Sequence, residues 1–388
     1  MTSLTRLRDL VDVVVGVDTH TETHTAAIVD AKTGGVIEDL TVPATSTGYQ
    51  ELVEWVDAHT DARAWAVEGT SSHGCGLARL LADRHELVVE LDRPVRAKRR
   101  HGVKSDKDDA IRAAREALSR DKLGTPRSIG DRQALAVLLA GRRSAVQAAG
   151  DAARQLIALI VAAPEPLRAQ FAGLTTNAKL AHAAELDTES TGDTETRTTM
   201  TVLRCLAERH RALTAEAATH QRAILAIVEA WRPDLLAQHG VGAINAATIL
   251  CAWSHPGRIH SEAAFAMLGG VAPIPASSGQ TTRHRLNRFG DRGLNRVLHM
   301  VVTVRMRSHQ PTRDYIARRT AEGKTQSQQV RFATAIDAYD RRVAALDESN
   351  AGSPFRVDGM VRVVAEPNLS GSVDPCVLTG SAQHLDAL

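Results

Sequence analysis

Hydrophobic and polar positions change their spacing several times along this chain. Val11–Val17 is a β-branched run, followed by Thr25–Val29 and Val36–Val42 with Gly34-Gly35 between the last two. Runs of this kind joined by short turns predict an antiparallel three-stranded meander. From Ser46 to His59, Leu52, Trp55 and Val56 share one face at helical spacing. Arg63–Val67 then predicts a short strand, Leu77–Ala82 a helix and Leu87–Leu91 another strand. After Ser105, a plausible N-cap, Ile111, Ala114 and Leu118 return to helical spacing.

The order βββ-α-β-α-β-α is that of an α/β RNase H-like domain. Beyond it, residues 131–163 form an Ala/Leu-rich helical stretch ended by Pro164 and Pro166. A second helical stretch covers 199–231, with Val202, Leu206, Leu213, Ala217, Ile224 and Val228 three to four apart in most steps, and the polar segment Thr188–Thr199 between the two is expected to be a loop. Two long helices joined in this way predict a helical hairpin or coiled-coil arm suited to self-association, although Arg209 and His220 interrupt its seam. A mainly α unit follows from Leu235 to about Tyr339, and Asn350–Leu388 is expected to be a flexible tail. The division expected is 11–125, 126–232, 233–340 and 341–388.

Composition narrows the function. Only 3% of the 388 residues are aromatic, which argues against an aromatic-lined sugar site or a base-stacking platform. Cys75, Cys205, Cys251 and Cys376 are scattered without a C-x-x-C pair, so neither a disulfide framework nor a zinc ribbon is expected. The longest apolar run, Leu156–Ala163, is far short of a bilayer span, and a cytoplasmic protein is expected. The net charge of +2 conceals an asymmetry. Val11–Leu91 holds 4 basic against 14 acidic residues, Asp92–Lys122 holds 11 against 6, and Arg283–Arg331 holds 12 against 3. The basic blocks predict a polyanion partner.

Candidate chemistry lies in the acidic part. In Val13–Asp18, side chains 14, 16 and 18 share a face, so Asp18 projects from a half-buried sheet surface where a lone carboxylate is costly and a cation offsets the cost. Glu68 closes the strand Arg63–Val67, and an RNase H-like sheet sets these two strand ends side by side. Asp106 and Asp109 sit three apart in the first turn of a helix. Four converging carboxylates would hold two divalent metals for phosphoryl transfer, and hard oxygen ligands suit Mg²⁺, or Mn²⁺ in its place. Taken singly, Glu68 is better explained as an ordinary strand-end residue, and for Asp106 and Asp109 the helix macrodipole, which also favours Asp108, is as good an explanation as a metal. His20, His24 and His73 form no ligand spacing with a cysteine and are expected at the surface or behind the ligands.

Three segments carry a resemblance: Val15-Gly16-Val17-Asp18-Thr19-His20, Val67-Glu68-Gly69-Thr70, and Lys104-Ser105-Asp106-Lys107-Asp108-Asp109-Ala110. They resemble the DEDD motifs of an insertion-sequence transposase family that joins a RuvC-like nuclease domain to a C-terminal domain with a catalytic serine, the recombinases guided by a bridge RNA. His239-Gly240-Val241-Gly242, Ala263 to Gly270, Ser277-Ser278-Gly279 and Arg288-Phe289-Gly290-Asp291-Arg292-Gly293 extend the likeness, which covers roughly residues 11–335. It implies Asp18, Glu68, Asp106 and Asp109 as the metal-binding tetrad and Ser278 as the nucleophile, with Ser277 second. It also implies a structured guide RNA. Ser105 stands where the family usually has Thr, and Arg283, Arg285 and Arg288 stand where it is often Lys-rich.

Leu235–Leu250 resembles a helix-hairpin-helix module, whose Gly240 and Gly242 would offer backbone N–H groups to a phosphate; a plain glycine-capped turn explains it equally well. Ser278 lies in a Pro- and Gly-rich loop ahead of Arg283, Arg285, Arg288, Arg292 and Arg296, residues suited to phosphate binding. A serine hydroxyl needs activation, and the metal site facing it, within or across subunits, would supply that. The sequence therefore predicts a Mg²⁺-dependent DNA transposase or recombinase acting through a phosphoserine, assembled as a dimer or tetramer. The alternative is a RuvC-like nuclease or junction resolvase without a serine adduct. An actin-like kinase or ATPase would need further Gly-rich phosphate loops that do not occur here, and an intact tetrad argues against a catalytically dead DNA-binding protein.

Overall fold

In the computed structural model the β-branched run ahead of Asp18 forms the central strand β1 (Val13–Thr19). It pairs antiparallel with β2 (Thr23–Asp30), which pairs antiparallel with β3 (Val36–Pro43). On its other edge β1 runs parallel to β4 (Arg63–Glu68), and β4 runs parallel to β5 (Val88–Leu91). The sheet order is β3-β2-β1-β4-β5. Helix α1 (Ser46–Asp57) follows β3, α2 (Cys75–Asp83) follows β4, and α3 (Asp106–Ser119) follows β5. Order and direction are those of the RNase H-like fold. The structure describes residues 6–60, 62–91, 105–121, 123–188, 193–255, 258–259, 261–272, 274–276, 284–285, 287 and 290–322. They fall in two units, Met1–Ile129 and Gly130–Leu388.

Pleating sends Val13, Val15 and Val17 to one face of the sheet and Val14, Gly16 and Asp18 to the other. The first face meets α1 and α2 through Leu52, Val53, Val56, Leu77 and Leu81. Trp55 packs against the same core as expected, with Val53 buried as well, and its indole N–H reaches the Glu38 carboxylate at 2.9 Å. A polar handle on a large ring favours a position at the edge of the core. The second face meets α3, whose Ala113, Ala114, Ala117 and Leu118 pack over Val14, Ala64, Ala66 and Val89.

Small residues let α3 lie directly on β1. A Cβ at Gly16 would stand 2.0 Å from the Ala110 carbonyl oxygen and 2.6 Å from the Ala114 nitrogen. Lys107 pairs with Asp39 in the middle of β3 at 2.5 Å, and Arg115 donates to the Gly34 carbonyl at 3.0 Å, so the helix is tied to the β2–β3 hairpin at its turn and at mid-strand. Ser105 occupies the N-cap position with extended backbone, but its side chain makes no capping bond; its carbonyl accepts from the Asp109 N–H at 3.1 Å.

The second unit is built on α4 (Asp131–Ala162) and α7 (Thr194–Trp231), which run antiparallel: Arg142 bonds Gln221, and Leu156 packs with Leu203. Two short helices that the periodicity did not predict, α5 (Glu165–Ala169) and α6 (Thr176–Ala184), cover the far end with Leu167, Phe171 and Leu180. The expected loop Thr188–Thr199 is partly helix, because Asp193 accepts the Thr196 N–H at 2.9 Å and starts α7 there. By length and composition α4 is apolar enough to cross a bilayer. It nevertheless carries Arg142, Arg143, Asp151 and Arg154 and packs along α7.

The near end of the hairpin shares its core with the helices that follow it. Leu135, Ile224 and Val228 pack with Leu235 of α8 (Pro233–Leu236) and with Ala246, Leu250 and Trp253 of α9 (Ala243–Trp253). Arg132, buried, donates twice to the Cys251 carbonyl at 3.3 Å. Helix α10 (Glu262–Leu268), the two-residue strands β6 (Ile274–Pro275) and β7 (His284–Arg285), α11 (Arg292–Ser308) and α12 (Gln310–Ala321) complete the described part. The expected tail, 341–388, lies outside the described residues.

Replacing Gly16 with Ala tests the strand–helix contact. The methyl group meets backbone atoms that cannot rotate away, so Gly16→Ala is expected to cost about 3 kcal/mol, the upper part of the overpacking range. Urea unfolding of the variant measures it; a cost below about 1 kcal/mol would mean that the helix does not rest on the strand in this way.

Candidate metal centre

Asp18 is the last but one residue of β1, on the face covered by α3, and only 9% of it is exposed. Its neighbours on that face are Val14 and Gly16, so the carboxylate sits at the rim of an apolar surface. Asp106, in the first turn of α3, reaches the same point. Between them stands His20. Its Nε2 lies 3.2 Å from Asp18 Oδ2 and 3.4 Å from Asp106 Oδ1. Asp18, His20 and Asp106 each present one ligand atom, and the three atoms lie within 4.8 Å of one another.

Glu68 and Asp109 take neighbouring places outside that trio. The parallel register pairs Val17 with Val67, so Glu68 follows on β4 as Asp18 follows on β1, and the same alternation sets both on the α3 face. The two strand ends are tied by the Thr19 hydroxyl, which donates to the Glu68 carbonyl at 2.9 Å. Gly69, at φ +68°, turns the chain away immediately afterwards, and the buried Thr70 hydroxyl holds the turn by donating to Glu90 at 2.7 Å. Asp109, one turn along α3 from Asp106, is mostly buried and pairs with Arg112 at 2.6 Å. Asp108 is exposed on another side of the helix.

His20 is the residue that spacing alone undervalued. The period-two alternation that picks out Asp18 also puts position 20 on the same side, so the signal was present. The donor set of two carboxylates and one imidazole nitrogen fits a divalent cation, and the N-terminal turn of α3 adds a partial positive charge that eases the crowding of acids.

On the opposite face, beside the same hairpin, His24 is fully buried and stacks on Tyr49 with ring centroids 5.3 Å apart. Its Nδ1–H donates to the Thr23 carbonyl at 3.0 Å, while Nε2 has no hydrogen-bond partner among the described residues. Burial lowers its pKa, with the nearby imidazoles of His20 and His73 adding to the effect; the Thr23 carbonyl and Asp18 oppose it.

In the second unit, Arg285, Arg292 and Arg296 are exposed, the last two on the face of α11 opposite Leu294, Val297 and Leu298. Gly240, at φ +84°, makes the turn before α9; a Cβ there would lie 3.1 Å from the Val301 carbonyl. Gly242 is the N-cap of α9, with open space around it. The helix ahead of this turn, α8, is a single turn long. Arg305 is buried and donates to the His239 carbonyl at 2.7 Å, so part of the basic block is internal scaffolding. Ser277, Ser278, Arg283 and Arg288 lie outside the described residues.

A family model described as Transposase matches residues 15–163, and one described as Transposase IS116/IS110/IS902 family matches residues 234–317. The first spans the acidic site and the second the glycine turn and the Arg-rich segment. No curated protein matches the chain.

The electrostatics of His24 have a measurable consequence. Its folded pKa lies below the 6.5 of a free imidazole. The unfolded chain therefore binds the proton more readily, and stability is retained above about pH 6.5 and declines as the pH falls toward the folded value. In His24→Phe, which keeps the stack on Tyr49, the loss of stability between about pH 6.5 and 5 is expected to shrink. Urea midpoints across that range decide it; an unchanged slope would contradict the assignment.

Proposed function

Because this chain belongs to the IS116/IS110/IS902 transposase family and so is an enzyme that acts on DNA, we propose that it cuts and rejoins DNA strands through a serine ester, with Ser278 as nucleophile. In this reading Asp18, Glu68, Asp106 and Asp109 are the acids that hold divalent ions, Mg²⁺ or Mn²⁺. The reading draws its main support from the meeting of Asp18 and Asp106 where β1 passes under α3, which sets ligand atoms of Asp18, His20 and Asp106 within 4.8 Å of one another at the rim of an apolar surface. When bound, the ions would supply positive charge to a phosphate whose negative charge grows in the transition state.

The chain's own residues do the rest. Asp18 and Glu68 sit on adjacent strand ends and Asp106 and Asp109 on one helix turn, so rigid elements position all four. The Ser278 oxygen attacks a backbone phosphorus, the bond from phosphorus to one DNA oxygen breaks, and that oxygen leaves as a hydroxyl while the serine gives up its proton. The serine–phosphate ester keeps the energy of the broken bond, so a hydroxyl on another strand can reverse the step without an external energy source. Arg285, Arg292 and Arg296, with Arg283 and Arg288, bind backbone phosphates, and the N–H groups at Gly240 and Gly242 add contacts without sequence preference. The reading includes a structured guide RNA and a homo-oligomer, for which the basic segments and the α4–α7 hairpin are the support.

The test is a nicked DNA substrate that traps a strand on the protein. Wild type is expected to give a denaturation-resistant protein–DNA adduct, Ser278→Ala none, and Ser277→Ala an adduct at close to the wild-type level. Cleaved DNA without any adduct would replace this reading with a metal-dependent nuclease or junction resolvase. Asp18→Ala is expected to fold normally and to lose strand exchange by at least about 100-fold; full recombination by that variant would overturn the metal assignment. Sequencing of RNA co-purified with the protein from cells is expected to return one discrete structured species, and its absence would remove the guide.

A further inference from the structure

The site contains one side chain that the four-acid reading leaves idle. We infer that His20 is a direct ligand of the metal, through Nε2, making the ion between β1 and α3 a mixed nitrogen–oxygen site. The inference rests on the reading of the Asp18 and Asp106 pair as a divalent-metal site, and it adds the nitrogen and its consequence for metal choice.

Geometry carries the argument. Nε2 faces carboxylates from two different elements, at 3.2 Å and 3.4 Å. Nε2 carries at most one hydrogen, which serves one acceptor well; here the nearer contact is already a long hydrogen bond and the second is longer. A cation serves all three atoms at once. Adjacent ligands around an octahedral ion with bonds of about 2.1 Å lie about 3.0 Å apart. The two contacts of Nε2 are within a few tenths of an ångström of that edge, and the two carboxylate oxygens lie within 4.8 Å of each other, so small side-chain adjustments bring the three atoms onto one ion.

The backbone holds the ring in place. The His20 N–H donates to the Thr23 carbonyl at 3.0 Å, closing the β1–β2 turn two residues after Asp18. Asp18 is fixed by β1, and α3 is held down by Gly16, Lys107 and Arg115, so Asp106 comes to a preset point. Two ligands on rigid elements and a third on the tight turn that follows β1 form a preorganised chelate. A nitrogen donor is a better match for Mn²⁺ than for Mg²⁺, which prefers oxygen throughout. The site should therefore favour Mn²⁺ more than four carboxylates would.

Pulsed electron paramagnetic resonance of the full chain loaded with Mn²⁺ reads this directly. Wild type is expected to show hyperfine coupling from a coordinated ¹⁴N, and His20→Ala to lose that coupling. The same variant is expected to bind Mn²⁺ at least about tenfold more weakly while its Mg²⁺ affinity changes less. Asp18→Asn separates the two levels of the argument. If Mn²⁺ binding depends on Asp18 but shows no ¹⁴N coupling, or the coupling survives in His20→Ala, the His20 assignment is wrong and the metal site stands. If Asp18→Asn leaves Mn²⁺ binding unchanged, the metal site itself fails and the His20 assignment with it.

Discussion

The α3 backbone lies directly against Gly16 of β1. There the helix rests on the central strand with no side chain between them, and the alanine face of α3 makes the approach possible. Everything at the candidate site follows from this contact. It brings the first turn of α3 to the end of β1, so that Asp106 arrives beside Asp18, and it removes water from one side of the Asp18 carboxylate. A wider separation would give Asp18 solvent and take Asp106 out of reach.

The same economy governs the charges. Acids gather in the strands and helices of residues 11–91, and in the second unit Arg292 and Arg296 are exposed on one face of α11 and Arg285 on β7. Not every basic residue belongs to that surface. Arg132 and Arg305 are buried and donate to backbone carbonyls, joining α4 to α9 and α11 to the glycine turn. Counting charge by segment therefore overstates the surface available to a polyanion, while the direction of the asymmetry survives.

Much of the first unit was legible in the sequence because its signals are local. Val13–Asp18 alternates about a glycine, the Gly34-Gly35 turn joins two strands, and the Ala face of α3 repeats at helical spacing. What was not legible depended on tertiary choices. Val53 is buried on α1 beside the expected Leu52, Trp55 and Val56, and that place is decided by the sheet it meets. The helices α5 and α6 are too short to leave a period, and Asp193 shows its role only once Thr196 is found above it. Ser105 has the residue type of a cap but lacks the capping bond. At the site, alternation gave Asp18 and the side of the sheet for Glu68, but the nearness of His20 to Asp106 is a contact between elements far apart in the chain. Spacing rules written for cysteine and histidine ligands passed it over.

The most direct measurement of the central claim is anomalous diffraction from a crystal of the full chain grown with Mn²⁺. The account predicts an anomalous peak between β1 and the first turn of α3, within about 2.2 Å of carboxylate oxygens from Asp18 and Asp106. Peaks confined to other parts of the molecule, with those two carboxylates turned away from each other, would contradict it.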